Sequence, residues 1–399
     1  MKILVLNCGS SSLKYKLFQI ASGGVLAKGQ AQRIGLQDAS FLHEVQGREV
    51  RPDNKPLSDH AEAVRRLLAH LTDRQAGILS DMHEISGVGH RVVHGGEQFR
   101  TSVRVDPAVR HQLEKTKVLA PLHNPPNLMG IDVCTRLMPG VPQVAVFDTA
   151  FHQTMPPHAY TYAIPYRYYT EDSVRRYGFH GTSHRYVANR TAELLQGKTE
   201  NPKIITCHLG AGSSLCAVTG GKSLDTSMGF TPLSGVVMGT RSGDIDPAVV
   251  SFIMEKERCS IAAALDVLNR QSGVLGISGV SPDFRDLKRE ADGGNARAAL
   301  ALDVFAYSIA RGIGSLIPAI DGLDALAFTA GIGENSPALR KRICAFLTWL
   351  GVLLDEDQNN EGPAERDISK PESKVNVFVV PTDEEIMIAR ETGAVLQNM

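Results

Sequence analysis

Two arginines, a histidine and two carboxylates stand in this chain where glycine-rich loops would leave their polar ends unobstructed. Arg91 lies in His90-Arg91-Val92-Val93-His94-Gly95-Gly96, at the end of an apolar run and ahead of paired glycines. Arg241 lies in Gly239-Thr240-Arg241-Ser242-Gly243-Asp244-Ile245-Asp246-Pro247. A guanidinium is a planar fork that grips carboxylate or phosphate oxygens through parallel hydrogen bonds, so two of them in separate loops suggest an anionic substrate. His180, between Gly178-Phe179 and Gly181-Thr182-Ser183, precedes a helix; it could donate to a phosphoryl oxygen or merely satisfy loop carbonyls. Asp148 ends a strand, where it could orient a metal or substrate or simply close a turn. Glu384 falls in the first turn of a helix, where the dipole favours an acid and a metal role is equally open.

The loops themselves occur as a pair. Val5-Leu6-Asn7-Cys8-Gly9-Ser10-Ser11-Ser12-Leu13-Lys14 matches Cys207-His208-Leu209-Gly210-Ala211-Gly212-Ser213-Ser214-Leu215-Cys216. Each is an apolar run, a Gly/Ser turn and a second apolar run. Such a hairpin exposes backbone N–H groups and small hydroxyls, as a phosphate-binding turn requires. Two of them, facing each other, would grip a polyphosphate from both sides.

The elements that must hold these groups alternate between strand and helix signals, which predicts an α/β protein. Val64, Leu67, Leu68 and Leu71 follow a helical stripe with Ser58 or Asp59 as cap. Val141 to Phe147 reads as a strand ending at Asp148, and Ser183 as the cap of a helix running to about Leu195. Ala325 to Phe328 reads as a buried strand opening into Gly331-Ile332-Gly333-Glu334-Asn335, with a helix from about Pro337. Val375 to Val380 is the last strand, and Thr382-Asp383-Glu384-Glu385 resembles a capping box that opens the terminal helix.

At 399 residues the chain suits two domains, with the Pro-rich stretch from Met155 to Pro165 as their boundary and a cleft between them lined by the polar loops. A formal net charge of −1 provides no basic field for nucleic acid or an anionic membrane. No stretch is read as reaching membrane-spanning length. The six cysteines form no C-x-x-C pair, which fits neither a zinc site nor a disulfide framework and suggests a reduced cytoplasmic enzyme. Gly220-Gly221-Lys222-Ser223 lacks the earlier glycine of a P-loop, and Gly331-x-Gly333 lacks the third glycine of a dinucleotide fingerprint. His90 and His94 lack the glutamate of a zinc-protease motif and read as a solvated or hydrogen-bonded pair. The sequon Asn189-Arg190-Thr191 matters only in a secreted protein.

Taken together, Leu6-Asn7-Cys8-Gly9-Ser10-Ser11-Ser12-Leu13-Lys14 and Tyr177-Gly178-Phe179-His180-Gly181-Thr182-Ser183-His184 resemble the acetate kinase family of short-chain acyl kinases, from Asn7 to Glu384. The resemblance implies two duplicated actin-like or sugar-kinase-like domains with a central cleft. Residues 1–150 would form the N-terminal domain, with the terminal helix 385–399 packed back on it. Residues 151–384 would form the nucleotide-binding and dimerisation domain of a homodimer. It implies ATP/ADP as co-substrate and Mg²⁺, with Mn²⁺ as the alternative metal.

By position, the resemblance makes Asn7 and Glu384 the metal-associated residues and puts Ser10, Ser12 and Lys14 against phosphate. Arg91 and Arg241 would hold the carboxylate and the transferring phosphoryl group. His180 would stabilise the transition state, and Asp148 is the essential acid, read as positioning metal or substrate rather than removing a proton. His208, Leu209, Gly210, Ala211 and Gly212 match a nucleotide loop, as do Asp283, Phe284 and Arg285, and Gly331, Ile332, Gly333, Glu334 and Asn335. Val93, Leu122, Phe179 and Pro232 match the pocket for the acyl methyl group. Two positions depart from the pattern: Ala211 replaces the usual Asn, and Pro282 replaces a small polar residue.

The reaction expected is reversible, in-line phosphoryl transfer between ATP and acetate. A propionate kinase is the nearest alternative, with pyrophosphate-dependent and butyrate-specific relatives further off. A nucleotide-gated filament or binding protein on the same fold is the reading from another class. Arg241 and His180 argue against it, because a clamp that only hydrolyses nucleotide need not aim them at a carboxylate.

Overall fold

The opening apolar run forms β1 (Lys2–Cys8), which turns at Gly9 and returns antiparallel as β2 (Ser12–Gln19). The computed structural model describes residues 1–50, 56–121, 123–197 and 199–398, so Leu122 lies outside the described residues. β3 (Gly24–Gln32), β4 (Ser40–Val45) and β5 (Arg48–Val50) extend the antiparallel side. β6 (Ile85–Val92), β7 (Val103–Arg104) and β8 (Gln143–Phe147) complete a sheet ordered β5-β4-β3-β2-β1-β6-β8-β7. β1, β6 and β8 run parallel. These strands belong to a unit of Met1–Phe151 with Asp383–Met399.

A second unit, His152–Thr382, has its own sheet. β9 (Ile204–Leu209), β10 (Ser213–Thr219), β11 (Lys222–Thr226), β12 (Ala325–Thr329), β13 (Arg366–Asp367) and β14 (Asn376–Val379) are ordered β11-β10-β9-β12-β14-β13. Here β9, β12 and β14 are the parallel set. The series β3-β2-β1-β6-β8 and β11-β10-β9-β12-β14 therefore repeat one topology. The hairpins stand one residue out of the letter match, since Cys8 and Leu209 both end their strands whereas the letters pair Cys8 with Gly210.

The terminal helix Glu384–Gln397 packs on β1, β6 and β8 within the first unit. Glycine in β6 permits this approach: a Cβ on Gly89 would lie 2.3 Å from Thr392 Oγ1 and 2.9 Å from Ile388 Cγ2. In the second unit the helix Ala296–Ile320 buries Phe305, Ile309 and Ile313 in one core with Leu215, Leu326 and Phe328. Each such side chain contributes roughly 1.5–3 kcal/mol when removed from water. At 25 residues it is long and apolar enough to cross a membrane by length and composition, which corrects the expectation that no stretch reaches that length. Its packing against β10 and the helices Gly273–Ser278 and Phe284–Asp292 is that of a core helix.

One helix start matches expectation and two differ in detail. The helix His60–Leu71 is capped by Asp59, which accepts from Glu62 N at 2.7 Å. The terminal helix is capped by Asp383, which accepts from Ile386 N at 3.0 Å, because the Thr382 hydroxyl is engaged with Ser183 instead. The helix Gly181–Leu194 starts after His180, so Ser183 sits inside its first turn. Gly331 to Asn335 is no open loop but part of a six-residue helix, Ala330–Asn335, entered through Ala330 at φ +63°.

Candidate active site

In the first unit the polar residues gather at the carboxyl ends of the parallel strands, where α/β sheets bind ligands. β6 and β8 are neighbours, with Arg91 opposite Val146, and Asp148 N donates to Val92 O at 3.1 Å. That register brings Arg91 to Asp148. Arg91 Nε donates to Oδ1 at 3.0 Å and Nη2 to Oδ2 at 2.6 Å. Asp148 is buried at 2% exposure. Glu384 Oε2 lies 4.0 Å from Arg91 Nε, with 22% of its side chain exposed.

The electrostatics of this corner are uneven. Asp148 beside it, then Glu384, hold the Arg91 guanidinium firmly charged against the cost of burial. Burial pushes Glu384 up to about 7; Arg91 opposes this, while Asp148, Glu385 and Asp383 add to it. Two carboxylates thus share one guanidinium, leaving an oxygen-rich corner short of positive charge that fits a hard cation. Among the described residues no three His, Cys, Asp or Glu side chains cluster closely enough to hold a metal by themselves. Neutral donors and substrate oxygens would have to complete its shell.

Asn7, next to the end of β1, pairs across the hairpin with Lys14. Ser10 and Lys14 are exposed and Ser12 is half-buried. Val93 is half-buried, and its N–H donates to Asn127 Oδ1 at 3.1 Å while Asn127 Nδ2 donates to Cys8 O at 2.7 Å. One amide therefore ties the segment after β6 to the end of β1.

In the second unit His180 adopts a left-handed conformation, φ +56°, just ahead of its helix. Its ring stacks on His208 with centroids 4.1 Å apart, and its Nδ1 lies 2.8 Å from Ser214 Oγ. Gly212 sits against both His180 and Arg241: a Cβ there would be 3.5 Å from His180 Cε1 and 3.2 Å from Arg241 Nη1. Arg241 Nη1 donates to Pro232 O at 3.3 Å, and no carboxylate among the described residues pairs with it. Burial lowers its pKa. A half-buried guanidinium without a counter-ion, beside a histidine and a glycine turn, is an anion site in waiting.

The three expected nucleotide segments come together around that turn. Gly239 N donates to Ala211 O at 3.3 Å, and a Cβ on Gly239 would be 3.5 Å from Pro282 O. A Cβ on Gly210 would be 3.8 Å from Ala330 Cβ, at the head of the short helix carrying Gly331 to Asn335. Leu209 offers only backbone, since its side chain is in the core. Asp283 caps the helix Phe284–Asp292, accepting from Arg285 N at 2.8 Å, and Phe284 packs on Phe305. Arg285, largely exposed, pairs with Asp283, whose carboxyl it draws down to about 2. Phe179 is buried and Pro232 half-buried, both in this unit, whereas Val93 is in the first.

The sequence profile of the acetokinase family matches residues 2–390. The chain belongs to the acetokinase family. It is 54% identical to the acetate kinase of Thermoanaerobacter pseudethanolicus over 400 residues, covering 100% of both chains. The crystal structure of Porphyromonas gingivalis acetate kinase matches at a TM-score of 0.93 and 47% identity, covering 99% of each chain. A propionate kinase from Francisella tularensis matches at 0.92 and 40%, again over 99% of each. The two-sheet architecture is accordingly the actin-like fold of this family.

The structure adds residues to this acetokinase that motif reading did not single out. Asn127 fixes the backbone of Val93 from a helix, Asn124–Leu137, that carries no chemical signature. Ser214 and His184 hold His180; His184 is in the quoted stretch, one turn beyond His180, and that spacing was the available signal. Arg340, at 0% exposure, donates to Gly333 O at 2.8 Å, Glu334 O at 2.9 Å and Asn359 Oδ1 at 2.8 Å. It clamps the end of the short helix, and burial lowers its pKa to about 10. His90 and His94 are buried rather than solvated; His90 Nε2 bonds Gln143 Oε1 at 2.8 Å, and His94 Nδ1 accepts from Gly96 N at 2.9 Å.

Proposed function

We infer that this chain is an acetate kinase, transferring the γ-phosphoryl group of ATP reversibly to acetate by direct in-line displacement. The observation that carries the reading is Arg241, half-buried without a carboxylate partner beside His180 and the Gly210–Gly212 turn. Acetate is ionised at neutral pH, so the reaction requires alignment and charge neutralisation rather than a strong base. In the second unit, Arg241 and His180 would meet the charge on the transferring group, with the nucleotide on His208 to Gly212, Asp283 to Arg285 and Gly331 to Asn335. In the first unit, Arg91 would orient the acetate carboxylate, and Asp148 would hold that guanidinium in place.

Asn7 and Glu384 would hold Mg²⁺, or Mn²⁺ in its place, supported by the surplus of carboxylate around Arg91. When bound, the metal supplies neutralisation of phosphate charge. Ser10, Ser12 and Lys14 offer hydroxyls and a cation to phosphate. In the first unit Val93 would supply apolar surface for the methyl group; Val93, rather than a smaller residue, favours acetate over propionate.

A homodimer is part of this proposal. The helix Ala248–Glu257 buries none of its residues, and Val249, Phe252, Ile261 and Leu265 on it and the helix Ile261–Arg270 are exposed. Such a patch suits a second copy of the chain. We place the enzyme in the cytoplasm, with small molecules rather than nucleic acid or membrane as its partners.

The test is acyl phosphate formation, trapped as the hydroxamate, for acetate, propionate and butyrate with ATP or pyrophosphate. The highest rate with acetate and ATP is expected. A preference for propionate would correct the substrate, and no acyl phosphate despite ATP binding would move the chain to the nucleotide-gated binding class.

A further inference from the structure

The imidazole of His180 is wired through two hydroxyls and a second histidine to a backbone carbonyl. At the buried end, Thr206 Oγ1 lies 3.4 Å from the carbonyl oxygen of Cys216 and 2.7 Å from His184 Nδ1. His184 Nε2 lies 2.7 Å from Ser214 Oγ, which lies 2.8 Å from His180 Nδ1. Thr206, His184 and Ser214 are all at 0% exposure.

Each hydroxyl has one proton, so the direction at one end sets the direction of the rest. The Cys216 carbonyl can only accept, so Thr206 donates to it and accepts from His184 Nδ1–H. His184 is neutral, because burial first, and then His152 and His208 nearby, push its pKa well below the ordinary histidine range. Its bare Nε2 then accepts from Ser214, and Ser214 accepts from His180 Nδ1–H. In the opposite direction Thr206 would give its proton to His184. Two oxygens would then face each other at 3.4 Å with no proton between them.

We propose that Thr206, His184 and Ser214 are positioning residues that keep a proton on His180 Nδ1, so that His180 donates from Nε2 only as the imidazolium. The proposal rests on reading His180 as a donor to the transferring phosphoryl group. A cationic donor makes the stronger, charge-assisted bond, which suits a group whose negative charge must be neutralised. It also ties turnover to a proton, so activity declines as rising pH strips His180. Among the described residues, the titratable and charged groups facing it include His184 on its own helix, His208 of β9, and Arg241 across Gly212.

Long-range ¹H–¹⁵N spectra of the histidine-labelled full chain test the wiring directly. His184 is expected to stay neutral with its proton on Nδ1 from about pH 6 to about pH 9, and His180 to keep its Nδ1 proton through its own titration. An Nε2–H signal from His184 overturns the proposal whether or not the enzyme is active. Thr206→Val removes the anchoring hydroxyl and frees His184 to switch tautomer. The alkaline limb of kcat should then move up by about one pH unit or vanish, with KM values within about twofold. A uniform loss at every pH, with the limb unmoved, overturns the proposal as well. Absence of acyl phosphate from the unsubstituted enzyme is a separate result: it strikes the kinase reading, while the spectra still decide the tautomers.

Discussion

Arg91 and Asp148 meet as a two-pronged ion pair, Nε to Oδ1 at 3.0 Å and Nη2 to Oδ2 at 2.6 Å, from the ends of adjacent parallel strands. Asp148 is buried, so its charge is directed at Arg91 rather than at water. On the proposed mechanism it positions the guanidinium and removes no proton. Asp148→Asn should keep the fold, by circular dichroism, and lower kcat by about 100-fold. A loss of only a few-fold would remove its charge from any main role.

Val93 tests acyl selectivity. Its backbone is held by Asn127, so shortening its side chain should leave the main chain in place. Val93→Ala should raise the propionate-to-acetate ratio of kcat/KM by about tenfold, within the roughly 1–3 kcal/mol one methylene is worth in a pocket. An unchanged ratio would place the selectivity elsewhere.

Gly212 is open to a test of crowding without strain, since it is not among the glycines at positive φ. A Cβ there reaches 3.2 Å from Arg241 Nη1. Gly212→Ala should cut kcat/KM for ATP by about tenfold with little change in Tm. Ala211→Asn, which restores an amide donor in the same turn, should lower KM for ATP a few-fold. Equal kinetics in all three proteins would show that this turn does not touch phosphate.

Arg340 is buried with its donors on Gly333 O, Glu334 O and Asn359. Arg340→Met leaves those acceptors unpaired, at about 1–3 kcal/mol each, and should lower Tm while raising KM for ATP. Arg340→Lys should recover part of both. Recovery of Tm without any recovery of KM would detach the clamp from nucleotide binding.

Four buried histidines set the acid side of the stability curve. Burial lowers His43 and His90 to about 4 and His94 to about 3, and holds His184 well below the usual range. A histidine depressed in the folded state stabilises fully above its unfolded pKa and loses that contribution as pH falls toward the folded value. Stability should therefore drop from about pH 6.5 downward, by up to about 2 kcal/mol per group at pH 5. Glu384, raised to about 7, works in the opposite sense, but it is one partly exposed group against four. Denaturant melts between pH 7 and pH 5 check this, and an unfolding free energy that stays flat over that range would refute it.

Much of the candidate site was legible as a set of local elements because its residues carry their chemistry in short runs. The hairpins at Gly9 and Gly210, the strand ends at Arg91 and Asp148, and the turn before His180 follow from apolar periodicity broken by glycine and polar residues. Helix caps were harder to read: Asp383 and Thr382 both qualify by type. Only the proximity of Ser183 decides that Thr382 turns away from the cap. The length of Ala296–Ile320 is likewise visible in its letters, but its role as a core helix needs the strand it covers.

The sequence by itself determined the α/β class, the internal duplication and the family, because local propensity and contiguous motifs need no long-range information. Tertiary structure decided which groups act on one another. Arg91 meets Asp148 through strand register, and His180 meets Ser214 across 34 residues of chain. Arg340 reaches the short helix by burying its charge among carbonyls. Such pairings depend on distances set by packing whole sheets and helices, and a linear pattern of residue types does not encode those distances locally.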